Sequence, residues 1–533
     1  MITLLRDATD LVERIIGTFC DREVGEAGLF TSIRERIFHN ICEYSGVPLD
    51  GKSSKPLIRA READLPLDTL VDVYLGGTPL RDLLLTPVPF SLPEEQRFSG
   101  HWIIAPPGRG KTTLLHAMFL DDLQRDASII VMDSKGDLIT PIKELAVVKD
   151  RLVLIEPDPE FPLALNPLDI PKANINHVVS LLEYVFSALL EAKMTALQMT
   201  LFRTVLPAIV EAIPNATLQT FIDIITNGVE KYHQQLARLP ERRRAFFYDK
   251  ETGFLSKTYA DTRNQLIWRL QFLMTNPVIK QMFSALKTKL DIGKEMDAGK
   301  IVVIDNSKQR LGDEGAEFFG RFFIALVLAA AEQRAGRPQH AKRPCFFYID
   351  ECQNVIRRDE KISAILDECR GQKIGMILAH QRTAQISSAN VLDALANCAI
   401  RMANSDEEAK YLADKLRTDT DTLRSLPRGT FAAFIRDMTP SALRLKVPYA
   451  DLLKLPRISV AEQRALRDRM RTEYSFAPFG QPPEPETPYQ PPPSIYSEAS
   501  PAPAGRDAPR PAAARRDRLR PPARDTSETG STW

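Results

Sequence analysis

Three observations predict an α/β fold with a mostly parallel sheet for this chain of 533 residues. Short runs rich in β-branched and aromatic residues alternate with stretches of helical periodicity. Those runs are apolar throughout rather than alternating, which is the pattern of strands buried on both faces by covering helices. The earliest of them opens into a Gly-rich turn that leads straight into an apolar helix, a strand–turn–helix unit.

Taken in order, residues 1–95 read as a helical N-terminal region. Its first segment, ITLLRDATDLVERIIGTF, carries apolar residues at 4, 5, 8, 11, 12, 15, 16 and 19 with charges between them, an amphipathic helix. A Pro-punctuated stretch, TPVPFSLPEEQ, delivers the chain to the first part of the core, 96–171. There WIIA, ASIIVMD and RLVLIEP read as strands. From 172 to 295 strand signals stop and helical spacing takes over, as in VVSLLEYVFSALLEA and LFRTVLPAIVEAI, so an all-α insert is expected. The second part of the core, 296–456, holds KIVVIDNS, RPCFFYIDE, KIGMILAHQ, CAIRMANS and GTFAAFIRD, with SALRLKVPY closing a terminal hairpin. A helical extension follows at 457–474.

From 475 to 533 the composition changes. Fourteen of the chain's 39 prolines lie between 478 and 522 and large aliphatic residues almost vanish, so this tail is expected to be disordered. Its distal part, GRDAPRPAAARRDRLRPPARD, sets seven Arg against three Asp. That excess suits a solvated linker or a tether for DNA, a membrane surface or a partner.

The net charge of +1 excludes binding of nucleic acid by bulk charge and requires a local patch or a ring of subunits. The six Cys are scattered without a CxxC pair, and the seven His without HExxH. Reduced thiols and no metal framework are expected. The longest apolar run, FFIALVLAAA, covers ten residues where a membrane span needs about 20, so no integral membrane segment is expected.

Residues 103–115, IIAPPGRGKTTLL, nearly fit G-x-x-x-x-G-K-[ST], with Ala105 in the place of the first Gly. Such a loop presents backbone N–H groups to nucleotide phosphates, with the helix dipole behind them. The expected cradle is Ala105, Pro106, Pro107, Gly108, Arg109, Gly110, Lys111, Thr112 and Thr113. Gly108 and Gly110 allow the tight path, Lys111 reaches the β- and γ-phosphates of ATP, and the Thr112 hydroxyl holds Mg2+. Ala105 ends the strand, where smallness matters more than a positive φ.

A second strand must supply carboxylates. Runs ending at Asp133, Asp305 and Asp350 qualify, and only the last continues with Glu, as FFYIDEC. Asp350 is placed at Mg2+ and Glu351 at the attacking water. The Asp133 strand sets SKGD beside the site, and Asp305 ends a neighbouring strand. Gln381, closing the strand after the DE strand, suits a γ-phosphate sensor. Arg370, eleven residues upstream of it, suits a finger reaching a neighbouring subunit's site, with Arg401 as the alternative.

Together, APPGRGKTT, IIVMDSKGD, LNPLD, FFYIDECQN and GMILAHQ resemble the type IV coupling protein family, the TraG/TraD-type conjugative DNA-transfer ATPases of the HerA–FtsK class. SKGD is a near match to the family's D-P-K-G-E, and LNPLD to its F-N-P-L-D. The resemblance spans about 100–450. It implies a RecA-like P-loop core in a homo-hexameric ring that translocates single-stranded DNA, recruits a relaxase (relaxosome) and meets secretion-channel proteins. It implies Lys111 and Thr112 as phosphate and Mg2+ residues, Asp350 and Glu351 as the Walker B pair, Arg370 as the trans finger and Gln381 as the sensor. Family members usually begin with transmembrane helices, which this N-terminal region does not resemble. A cytoplasmic location, or one at the periphery of the inner membrane, is therefore expected. A protein-secretion or assembly ATPase of the same fold, or a cytosolic DNA-processing motor, are the alternatives.

Overall fold

The computed structural model describes residues 7–169 and 195–476 except positions 51, 87, 89, 360 and 451, together with 2, 5, 179 and 183–185. The tail expected to be disordered lies outside the described residues from 477 onward, and so does most of VVSLLEYVFSALLEA.

Nine strands form one sheet: β1 (His101–Ile104), β2 (Ser128–Asp133), β3 (Leu152–Ile155), β4 (Ile301–Asp305), β5 (Cys345–Asp350), β6 (Ile374–His380), β7 (Ile400–Ala403), β8 (Thr430–Ile435) and β9 (Leu443–Lys446). They stand in the order β3-β4-β2-β5-β6-β1-β7-β8-β9. Every neighbouring pair from β3 to β7 is parallel. The expected hairpin is β8–β9, and β8 also runs antiparallel to β7, so one end of the sheet is antiparallel. Strands β1, β2, β3, β5, β6 and β8 are buried at every position. Helices cover both faces of a parallel sheet, so its strands have no solvent side and read as unbroken apolar runs. The final strand β9, at one edge, is buried only at Leu443.

The opposite edge is β3. The helix Val460–Tyr474 lies over it, with Arg469 Nη2 donating to the Leu152 carbonyl at 3.0 Å and Met470 Sδ accepting from the Leu154 N–H at 3.2 Å. These contacts occupy backbone groups that would otherwise offer a template for pairing with another chain.

Between β3 and β4 the chain leaves the sheet to build helices, among them Ala196–Ala212, Leu218–Asn227 and Ala260–Thr275. The LNPLD segment ties the way in to the way out. Asn166 Nδ2 donates to the carbonyls of Ala216 and Leu286 at 2.9 and 3.0 Å. Asp169 accepts from the Thr288 N–H at 2.8 Å and from Lys287 Nζ at 2.9 Å. Asn166 is 2% exposed, so these bonds exchange little with water and hold the two crossings together.

The N-terminal helices Ala8–Phe19, Thr31–Ser45, Leu67–Leu75 and Pro79–Leu85 gather their own apolar core around Val12, Ile41, Val71 and Tyr74, separate from the main one. The short helix Glu94–Phe98 then leads into β1. Arg97 on it is buried, bonds Asp122 Oδ2 at 2.8 Å and stacks over Phe346 at 3.8 Å, and Tyr348 Oη donates to the same carboxylate. A buried guanidinium is tolerable only with such a partner. Among the described residues no helix is long and apolar enough to cross a membrane.

Candidate active site

The carboxyl ends of β1, β5 and β6 bring together Lys111, Asp350, Glu351 and Gln381. Beyond β1, Ala105 continues the ladder through its N–H to the His380 carbonyl at 3.2 Å and is fully buried. Its φ is not in the left-handed region, which explains why Ala replaces Gly there without strain. Pro106 and Arg109 close a turn at 3.3 Å, with Pro107 and Gly108 exposed at its tip. Gly108 and Gly110 take φ of +80° and +104°. A Cβ on Gly110 would stand 3.1 Å from the Gly429 Cα, so this position needs glycine for space as well as for conformation.

The helix Lys111–Leu123 starts at once, with Thr112 and Thr113 half-buried in its first turn and Leu114, Leu115 and Met118 in the core. Lys111 Nζ is ion-paired to Asp350 and lies 3.0 Å from Glu351 Oε1, all three side chains being nearly buried. Burial works against the ammonium, but the two carboxylates outweigh it and hold Lys111 above its ordinary pKa.

Glu351 stands just past β5 with φ of +52°, an unusual conformation for a residue other than glycine and a form of strain typical of functional positions. Four donors hold its carboxylate. Oε1 accepts from Gln381 Nε2 at 2.6 Å, from Lys111 Nζ at 3.0 Å and from Lys135 Nζ at 3.0 Å, while Oε2 accepts from Gln353 Nε2 at 2.8 Å. Burial alone would raise its pKa. Lys111, the two amides and Lys135 reverse that and bring it down to about 2.

Gln381 follows the last residue of β6 rather than belonging to it. Its turn is pinned from both sides. The Gln381 and Arg382 N–H groups donate to Gln385 Oε1 at 3.1 and 3.0 Å. Buried His380 accepts from Trp102 Nε1 at 2.8 Å through Nε2, so Nδ1 carries the proton and donates to the Arg382 carbonyl at 3.0 Å. Burial lowers the pKa of His380 to about 4.

Asp133 and Asp305 lie opposite one another on β2 and β4. Asp133 feels the charge of Lys111 and adds to burial in raising the pKa of Asp350. It also shapes the SKGD turn, accepting from the Lys135 and Leu138 N–H groups at 2.9 Å each. Arg370 is exposed in the last turn of the helix Ile362–Gly371, before β6, and so at the amino end of the strands. Its own Lys111 is at the carboxyl end, roughly 20 Å away along a seven-residue strand at about 3.3 Å per residue. Within one chain the two cannot meet. Arg401, the alternative finger, is held inside its own chain: Nη1 donates to the Ala396 carbonyl at 2.6 Å and the guanidinium lies 4.4 Å over Phe434.

Three groups near the site were not singled out from the sequence. Lys135 and Gln353 lie within quoted motifs, SKGD and DECQN, but nothing in their spacing says that both face Glu351. The third is the acidic run after β7. Asp406 pairs with Arg109 of the Gly-rich loop at 2.6 Å, Glu407 lies 3.6 Å from Arg382, and Glu408 accepts from the Thr383 N–H at 2.7 Å. Three consecutive carboxylates thus join the loop to the Gln381 turn; a bare charge run carries no local signal for that.

No protein-family model matches the sequence, and no curated protein matches it. Solved structures do. The bacterial conjugative coupling protein TrwBdeltaN70 in its unbound monoclinic form aligns at 11% identity over 68% of this chain and 87% of its own, with a TM-score of 0.50. The plasmid coupling protein TrwB in complex with the ATP analogue ADPNP aligns at 12% identity over 68% and 87%, also with a TM-score of 0.50. VirB4 of Thermoanaerobacter pseudethanolicus aligns at 15% identity over 66% and 90%, with a TM-score of 0.48. The sheet, its helices and the loop at the end of β1 define a P-loop α/β fold. That fold is the one adopted by the coupling protein TrwB.

Proposed function

We propose that this chain is an ATP-hydrolysing motor of the coupling-protein type, which moves single-stranded DNA in conjugative transfer or mobilisation. One observation carries the enzymatic part: Lys111 and Gln381, following two other strands, converge within hydrogen-bond distance on the buried carboxylate of Glu351. The site fits Mg·ATP. The strand–Gly loop–helix unit is a phosphate cradle, and the Thr112 hydroxyl with the Asp350 carboxylate is an all-oxygen donor set suited to Mg2+. TrwB, whose fold this chain shares, has been captured with an ATP analogue.

Lys111 leaves the carboxylates to meet the β- and γ-phosphates. Thr112 and Asp350 would hold Mg2+, which would supply charge neutralisation at the transferring phosphoryl group. Loss of Lys111 frees one face of Glu351 Oε1, which then orients the attacking water, while Gln381 senses the γ-phosphate. Arg370 serves the site of another copy, since its own lies at the far end of the sheet. This arrangement needs a ring, and a homo-hexamer is the form proposed. Single-stranded DNA, a relaxase and secretion-channel proteins as partners rest on the motif resemblance, as does a place in the cytoplasm or at the periphery of the inner membrane.

The test is steady-state ATP turnover with and without single-stranded DNA. Turnover should rise with DNA and vanish in Lys111→Ala and Glu351→Gln. Mixing Arg370→Ala with Lys111→Ala chains should restore part of it, because each supplies what the other lacks. Turnover indifferent to any DNA would refute the DNA reading and favour a protein-secretion ATPase of the same fold.

A further inference from the structure

We propose that Lys135 is a positioning residue of the hydrolytic site, the cation that balances and holds the Glu351 carboxylate once Lys111 has been drawn to a nucleotide. The inference rests on the reading of this site as an ATPase and adds a residue to it.

Two nearly buried carboxylates, Asp350 and Glu351, face two lysines. Lys111 serves both carboxylates, whereas Lys135 pairs only with Glu351 among the described residues. Glu351 Oε1 accepts three donors at 2.6–3.0 Å, more than its two lone-pair directions serve well. With Mg·ATP bound, Lys111 would turn to the phosphates and Asp350 would hold the metal ion in its place. Glu351, whose side chain is 3% exposed, receives nothing in exchange. The amides of Gln353 and Gln381 are neutral, so among the described residues Lys135 is the one cation left against it, and a buried carboxylate without a cation is strongly disfavoured.

The fold builds Lys135 into place. Asp133 accepts the Lys135 and Leu138 N–H groups, and Gly136 turns the chain at φ of +91°, so the side chain leaves the turn toward β5. Asn354, three residues past Glu351, donates to Ser134 Oγ at 2.7 Å and ties the same turn to the DECQN segment. The Lys135 side chain is 50% exposed, so its replacement leaves the core intact.

The experiment compares Lys135→Met and Lys135→Arg in the wild-type and Glu351→Gln backgrounds. It measures Mg2+-dependent binding of a non-hydrolysable ATP analogue, kcat and KM, and the melting temperature without nucleotide. Lys135→Met should weaken analogue binding and lower kcat by about tenfold or more, while Lys135→Arg retains both. In Glu351→Gln, where no charge needs balancing, Lys135→Met should change analogue binding by less than about twofold. The nucleotide-free melting temperature should hold, because Lys111 still pairs both carboxylates. Wild-type behaviour of Lys135→Met, or equal losses in both backgrounds, would overturn the inference. Should the wild type bind no nucleotide, the ATPase reading falls and the inference is decided without ligand. Lys135→Met must then lower the melting temperature more in a Lys111→Ala background than in the wild type, and additivity would overturn it.

Discussion

Gln381 Nε2 donates to Glu351 Oε1 at 2.6 Å across 30 residues of sequence. The contact exists because β5 and β6 lie side by side in parallel register, Asp350 opposite Ala379, so that the residues following both strands emerge at the same edge. Parallel strands always place their carboxyl ends together, which is why sites in such sheets form there.

Gln381→Ala removes the shortest of the donors on Glu351. It should lower kcat by about a hundredfold with KM little changed, the usual size for loss of one preorganised donor. Steady-state kinetics on the purified variant checks this, and a change in KM alone would contradict it.

Lys111→Ala leaves Asp350 and Glu351 buried without their shared cation. Beyond abolishing turnover, it should destabilise the nucleotide-free protein by about 3–5 kcal/mol, read by denaturant unfolding. The same substitution in Glu351→Gln should cost less, since one of the two charges is gone.

His380 gives a pH prediction. The folded protein keeps it neutral down to about pH 4, against an ordinary value of 6.5 for the free side chain. Between these values the unfolded chain binds the additional proton, so stability falls as pH is lowered through that window, by about 3 kcal/mol at 1.36 kcal/mol per unit. Burial depresses His101 and His116 in the same direction, so the comparison must be differential. Gln at 380 can accept from Trp102 and donate to the Arg382 carbonyl without titrating. Melting of His380→Gln should therefore fall less between pH 6.5 and 4 than that of the wild type.

Asn166→Ala strands the carbonyls of Ala216 and Leu286 and the Leu168 N–H. A cost of about 1–3 kcal/mol is expected for each buried group left unpaired. The opening should be local: limited proteolysis should accelerate within the insert, while nucleotide binding at Lys111 stays as in the wild type.

What the sequence determined by itself is whatever is encoded locally. The all-apolar strand runs, the Gly-rich turn with Lys111, and the Asp350–Glu351 strand end are all written in neighbouring residues, because period and turn chemistry act over a few positions. The α/β class and the parallel sheet followed from these. Even the harmless Ala105 was legible, since a strand end needs a small side chain and no left-handed φ. Only the tertiary structure decided which strand ends meet. The order β3-β4-β2-β5-β6-β1 sets β2 beside β5 and so carries Lys135 to Glu351, across 216 residues of sequence. It also turned Asp406–Glu408 from a charge run into a brace between Arg109 and the Gln381 turn, and placed Arg370 at the far edge from its own Lys111. Such contacts depend on how distant strands are paired, and hydrophobic pattern says that a strand is buried without saying beside which other one.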